Sequence, residues 1–219
     1  MTAPSATAQT ALADYLAAIV AGDRHRAMAA VESARAAGLG LRETYLQVLQ
    51  PAQREVGRLW SAGTVTVAQE HLATAITQSV MSHLASDVFA AAPGNGPSLV
   101  AACVGPERHE LGLRMLSDLL ELEGWTTLYL GATVPGSDLV RLVESRAPVV
   151  VALSATLPPH LLALRDVVDR LRAGPRPPLV MVGGSAFLGG DTDLPKKIGA
   201  DLTAPDAGGA VDLLKQRVA

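Results

Sequence analysis

The chain has a single cysteine, no long apolar run and no cluster of basic residues. One cysteine excludes an internal disulfide. Cys103 sits within the apolar run Ser98 to Gly105 and is expected to be buried and inert, as suits a cytoplasmic protein. The longest apolar stretches, Val149 to Leu153 and Leu179 to Val182, have the length of strands. Crossing a bilayer takes about 20 residues, so no membrane partner is expected. Met1 to Thr10 has no positive charge ahead of an apolar segment and does not read as a secretory signal. The net charge is −3, and the 18 lysines and arginines are dispersed, which argues against a nucleic-acid surface. Several chemical signatures are also missing. There is no GxGxxG after the first strand-like run and no Walker A lysine. No serine carries the flanking glycines of a nucleophile elbow, and no group of close cysteines and histidines suggests zinc.

What is present divides at one point. Apolar residues make up 49% of the chain, and much of that is alanine, which points to helices in close contact. Residues 1–10 read as a frayed end. From 11 to 91 the apolar positions recur at helical spacing. Leu12, Tyr15, Leu16 and Ile19 share a face, and Asp23 stands where it can cap a second helix running to about Ala37. A third helix spans about Arg42 to Trp60, with Pro51 placed to bend or divide it. A fourth, alanine-rich helix spans about Thr66 to Val88. Short connections between four helices predict an antiparallel bundle. In it His25 is expected at the surface, and Met81 and His83 as bundle or interface residues. Residues 92–97 lie in the clearest linker, Ala91 to Pro97.

Beyond it the period changes. Strand-like runs at 98–104, 126–130, 149–153 and 179–182 alternate with helix-like runs at 111–122, 136–146, 159–172 and 188–199. A short fifth strand at 200–202 and a last helix at 208–216 complete residues 98–219. This alternation predicts a Rossmann-like, doubly wound parallel sheet covered on both faces. The fold class is therefore a four-helix bundle followed by an α/β domain.

In such a sheet the loops at the carboxyl ends of the strands lie at one edge and can surround a ligand. The first loop, Pro106 to Gly112, offers Glu107 and His109. The third offers Ser154 and Thr156, and the fourth offers the bare backbone of Gly183 and Gly184. Taken alone, a histidine in a strand-to-helix loop is ordinarily polar surface. His160, after Pro158-Pro159, is expected to be that kind of local surface residue.

Together, Glu107-x-His109-x-x-Gly112, Ser154-x-Thr156 and Gly183-Gly184 resemble the three-part signature of the cobalamin-binding Rossmann-like domain. The resemblance spans residues 97–219 in element order. It implies that His109 ligates cobalt from below and that Glu107, where the family usually has aspartate, hydrogen-bonds that histidine. It implies that Ser154, Thr156, Gly183 and Gly184 line the slot for the nucleotide tail.

The helical half extends the resemblance. Val56-Gly57-Arg58-Leu59-Trp60, followed by Glu70-His71, is similar to the cap of the adenosylcobalamin-dependent photoreceptor class. This implies that Trp60 packs over the adenosyl group, that Glu70 hydrogen-bonds it, and that His71 lies near the upper face. Read separately, a tryptophan is more often core, and a Glu-His pair is ordinary helix surface. Ser61 stands where the class commonly has a histidine that captures cobalt after light has cleaved the cobalt–carbon bond. A subgroup of stand-alone sensors adds a bilin, so biliverdin is a candidate second chromophore. The span before Leu12 is too short for the DNA-binding domain of related regulators. Output is therefore expected through a homo-oligomer or a separate effector protein, with no catalysis. A corrinoid carrier of a methyltransferase system and a light-independent cobalamin sensor or storage protein remain alternatives.

Overall fold

The computed structural model describes residues 4–90 and 95–218, with the backbone alone at 87, 89 and 90. Residues 1–3 of the expected frayed end and 92–94 of the expected linker lie outside the described residues. The chain divides into two compact units, Met1–Ala90 and Ala91–Ala219.

The first unit is helical. α1 (Ala6–Ala21) begins within the stretch read as frayed, because Ser5 caps it by accepting a hydrogen bond from the Ala8 N–H. It ends at Gly22, whose φ of +74° favours glycine; a Cβ there would also lie 2.8 Å from Leu72 Cδ2. Asp23 caps α2 (Arg24–Ala36) through the Arg26 N–H. The third predicted helix is not uniform. A short α3 (Leu41–Glu43) runs into a π-helical stretch, Thr44–Leu49, and then into α4 (Gln50–Ser61). Pro51 is the second residue of α4, so the change from the π-helical to the α-helical stretch falls directly beside it. α5 (Val67–Ala90) closes the unit. The core includes Tyr15, Ile19, Val31, Tyr45, Leu49 and Met81, each fully buried and each worth about 1.5–3 kcal/mol of apolar transfer. His25 is exposed, and His83 lies 3.3 Å from Glu32.

The second unit is a five-stranded parallel sheet in the order β2-β1-β3-β4-β5. The strands are β1 (Ser98–Ala102), β2 (Thr126–Tyr129), β3 (Val150–Ser154), β4 (Leu179–Gly183) and β5 (Leu202–Thr203). β3 reads Val-Val-Ala-Leu-Ser and is buried at every position, as a strand covered on both faces must be. On one face lie α7 (Gly136–Arg146) and α8 (Leu161–Ala173), whose Leu139, Val143, Leu164 and Val168 pack with Val151, Leu153 and Val180. α6 (Leu111–Leu122) and α10 (Ala207–Val218) pack together, and α6 lies against β1 and β3.

Three expectations about this unit are corrected. The helix read over 188–199 is only α9 (Leu194–Lys197), because Gly189-Gly190 give no support and the Asp191 carboxylate accepts from the Asp193 N–H and Lys197 Nζ, holding a local turn. The fifth strand starts later than 200, because the Asp201 side chain turns back to the Val180 N–H and Arg172. Pro158-Pro159 replace the start of the helix read from 159 with a 3-10 turn, Pro158–His160, and α8 follows.

Candidate functional site

β1 and β3 are neighbours, and the connections from them leave in opposite directions along the sheet. The crevice at such a reversal is where open α/β sheets hold ligands. β1 ends at Ala102, a bridge joins Val104 to Val134, and Gly105 (φ +62°) turns the chain into the Glu107 loop. β3 runs directly into Ala155 and Thr156 at the same edge.

Glu107 links the two loops. Its side chain is 1% exposed, yet it is richly bonded. Oε1 accepts from the backbone N–H groups of Arg108 and His109, each at 2.9 Å, and from His109 Nδ1. Oε2 accepts from the Thr156 N–H at 2.6 Å and from His160 Nδ1 at 2.9 Å. Burial alone would push the carboxyl up. The hydrogen bonds from His109, His160 and the two backbone groups override burial and hold it well below the usual carboxylate range. An ionised carboxylate only accepts, so both imidazoles donate from Nδ1. A neutral imidazole held in that tautomer carries its lone pair on Nε2, the arrangement of a metal-binding histidine backed by a carboxylate. The His109 side chain is 43% exposed at the loop surface. Cys103, beneath it, reaches toward the His109 carbonyl at 3.6 Å, and burial with the Glu107 and Glu110 charges pushes its thiol up to about 12.

His160 is the residue that sequence reasoning missed. It was expected at the local surface, but its side chain is only 14% exposed and is turned onto Glu107. The two residues are 53 positions apart, and only the parallel crossover brings them together.

The glycines separate into two kinds. Gly184 has φ +98°, and a Cβ on it would lie 2.3 Å from the Ala155 carbonyl oxygen, so the fold itself requires it. Gly112 and Gly183 have nothing within 4 Å of a Cβ position. At these two positions the bare backbone is open for a ligand to approach. Among the described residues no group of three histidine, cysteine or carboxylate side chains is placed to hold a metal ion. A metal at His109 therefore has to bring most of its ligands with it, as cobalt in a corrin does. Ser154 is buried at the end of β3, and Thr156 is half-buried beside it. A hollow of about 380 Å³ lined by Val149, Arg172 and Leu179 lies at the amino ends of β3 and β4, the opposite edge of the sheet.

In the helical unit Trp60 lies in the last turn of α4, and Glu70 and His71 lie near the start of α5. They occupy the two arms of one hairpin. Trp60 is 40% exposed, which is unusual for the largest apolar side chain. The Glu70 side chain is 18% exposed, and its carboxylate meets His71 Nδ1 at 2.5 Å and Thr74 Oγ1 at 3.0 Å. Behind Thr74 runs a polar chain through the bundle. Thr74 Oγ1 lies 3.3 Å from Gln53 Oε1, Gln53 Nε2 donates to Thr77 Oγ1 at 2.6 Å, and Thr77 meets Tyr15 OH at 2.8 Å.

Residues 11–85 match one B12 binding domain model, and residues 97–212 match a second. The chain belongs to the B12-binding family. It is a cobalamin-binding protein with a helical cap and a Rossmann-like domain. It is 37% identical over 180 residues to the HTH-type transcriptional repressor CarH of Myxococcus xanthus, a match that covers 82% of this chain and 59% of that repressor's length. It is 27% identical over 201 residues to dimethylamine corrinoid protein 3 of Methanosarcina acetivorans, covering 91% of this chain and 92% of the relative. The fold is shared with the monomethylamine corrinoid protein of Methanosarcina barkeri, with a TM-score of 0.82 at 21% identity over 95% of this chain and 99% of that one. No described helix is long and apolar enough to cross a membrane.

Proposed function

We propose that this chain is a light sensor that binds adenosylcobalamin and catalyses no reaction. The observation that carries this reading is the α4–α5 hairpin, which has a half-exposed indole on one arm and a carboxylate on the other. That is the chemistry of a nucleoside site: a Trp60 ring face for the adenine and a Glu70 acceptor for hydroxyl or amine groups. A methyl group needs neither. Bound adenosylcobalamin supplies a cobalt–carbon bond that light breaks.

The chain's own residues do the rest. His109 holds the lower face in the tautomer set by Glu107. Ser154, Thr156, Gly183 and Gly184 line the tail. When the adenosyl group leaves, Trp60 and Glu70 lose their partner, the helical unit moves, and a contact with a second copy or a separate effector protein is made or broken. Ser61 is a poor cobalt ligand, and His71 would be the residue of this unit able to take that role.

The test is to load the protein with adenosylcobalamin in darkness, illuminate with green light, and follow absorption and mass. A light-driven change in both supports the sensor. Biliverdin added to the same preparation tests a second chromophore, and a far-red band that survives gel filtration supports it. The second reading is a corrinoid carrier subunit, favoured by the match over nearly the full length of the dimethylamine corrinoid protein. Methyl transfer to a partner methyltransferase, with no light response, would replace the sensor by that carrier. Retention of cobalamin with neither property would point to storage.

A further inference from the structure

We infer that Thr74 is a positioning residue with two settings: its single O–H donates either to Glu70 or to Gln53, and a ligand donor group on Glu70 sends it to Gln53, which ties α5 to α4. The inference rests on the reading of Glu70 as the acceptor for the adenosyl group and is independent of light.

A threonine hydroxyl has one proton to give. Thr74 Oγ1 faces two acceptors, Glu70 Oε1 at 3.0 Å and Gln53 Oε1 at 3.3 Å. The Gln53 amide cannot turn over to relieve this. Its Nε2 donates to the Ala73 carbonyl at 3.3 Å and to Thr77 Oγ1 at 2.6 Å, and an amide oxygen placed against that carbonyl would be repelled. Two acceptors therefore share one donor. The carboxylate is the nearer and the charged one, so it holds the hydroxyl while Oε1 has no other donor. His71 meets the other oxygen, Oε2, and does not compete. A ligand hydroxyl or amine on Oε1 divides that oxygen between two donors, and the Gln53 oxygen then takes the Thr74 proton.

The bland explanation is that Thr74 is one more helical hydroxyl. Along α5 the hydroxyls of Thr77, Ser79 and Ser82 donate to the carbonyls of Ala73, Ala75 and Gln78, one turn back. Thr74 differs, because its hydroxyl meets the side chain of Glu70, one turn back, and a side chain of another helix. The setting on Gln53 also bears on Trp60. Gln53 and Trp60 stand two turns apart and share a face of α4.

The experiment uses the whole chain in darkness and reads the ratio of its affinities for adenosylcobalamin and methylcobalamin. Methylcobalamin has no donor groups on its upper ligand, so the ratio cancels general damage to the fold. Thr74→Val removes the internal donor on Glu70 and is expected to raise the ratio about three- to tenfold, the worth of one hydrogen bond. Gln53→Met removes the rival acceptor, leaves Thr74 on Glu70, and is expected to lower the ratio by a similar factor. In the double variant the effect of Gln53→Met should vanish, because no proton is left to compete for. Thr74→Ser should restore the wild-type ratio. If Thr74 only braces Glu70, T74V lowers the ratio instead. An unchanged or lower ratio in T74V, or a Q53M effect that persists in the double variant, overturns the inference alone. A Glu70→Leu variant with the wild-type ratio overturns it together with the placement of the adenosyl group on Glu70.

Discussion

Each unit carries a glutamate beside a histidine, and the two pairs are held differently. In the α/β unit the carboxylate of Glu107 is sealed, with donors from two loops, and its histidine is the exposed partner. In the helical unit Glu70 keeps some solvent contact, and His71 is 65% exposed. The Glu70 carboxylate is held by side chains, those of His71 and Thr74, with the Gln53 network behind them. Backbone donors cannot change rotamer, whereas a chain of hydroxyls and an amide can. The contrast suits one pair that stays put and one that responds.

The largest effect is expected from Glu107→Leu. It strands backbone donors of both loops and should cost about 3–5 kcal/mol, measured by urea unfolding with the buried Trp125 as reporter. Cobalamin affinity should fall as well. The same residue gives a pH signature. Its carboxyl lies below its ordinary value in the folded chain, so unfolding takes up a proton. The stabilisation is complete above the ~4.3 of an unfolded glutamate and is lost as pH falls toward the folded value. E107L should therefore flatten the acid limb of stability against pH; an unchanged limb would remove Glu107 from this role.

Next comes Gly184→Ala, which drives a Cβ into the Ala155 carbonyl at a left-handed φ. It should cost about 2–3 kcal/mol, seen as a lower melting temperature. Gly183→Ala should leave stability within about 0.5 kcal/mol and weaken cobalamin binding, since open space surrounds it. Equal effects at the two positions would erase the distinction between a glycine the fold needs and one the ligand needs.

In the helical unit, Thr77→Val leaves Tyr15 OH and Gln53 Nε2 without their shared acceptor. About 1–3 kcal/mol should be lost, with the change confined to that unit in hydrogen exchange. The smallest effect belongs to His71→Ala, where an exposed imidazole leaves and stability should move by less than about 0.5 kcal/mol. Spectral changes of the loaded protein, not its melting, would reveal His71.

The parallel sheet was legible because doubly covered strands must be continuous apolar runs, and β3 is one. Glu107 and His109 were legible because their spacing sits inside one loop. His160 was not, since nothing near it in sequence announces a partner 53 residues away. The segment over 188–199 misled because Leu194 and Ile198 have helical spacing, while Asp191 captures the backbone just before them. The π-helical turn was invisible because it changes the period over only six residues.

That turn has a consequence for how the gene can change. A π-helical turn amounts to an α-helix with one residue inserted, and each residue of an α-helix advances the chain by about 100°. The wider turn takes up that advance within Thr44–Leu49, so Gln53 still meets Thr74 and Thr77 and Trp60 keeps its place on α4. Deleting one residue there would let the helix close regularly and leave those faces nearly where they are, whereas deleting one from the regular stretch just before Gln53 would turn Gln53 and Trp60 by about 100°. A one-codon loss is thus absorbed in one part of the helix and rewrites the face of α4 in the next.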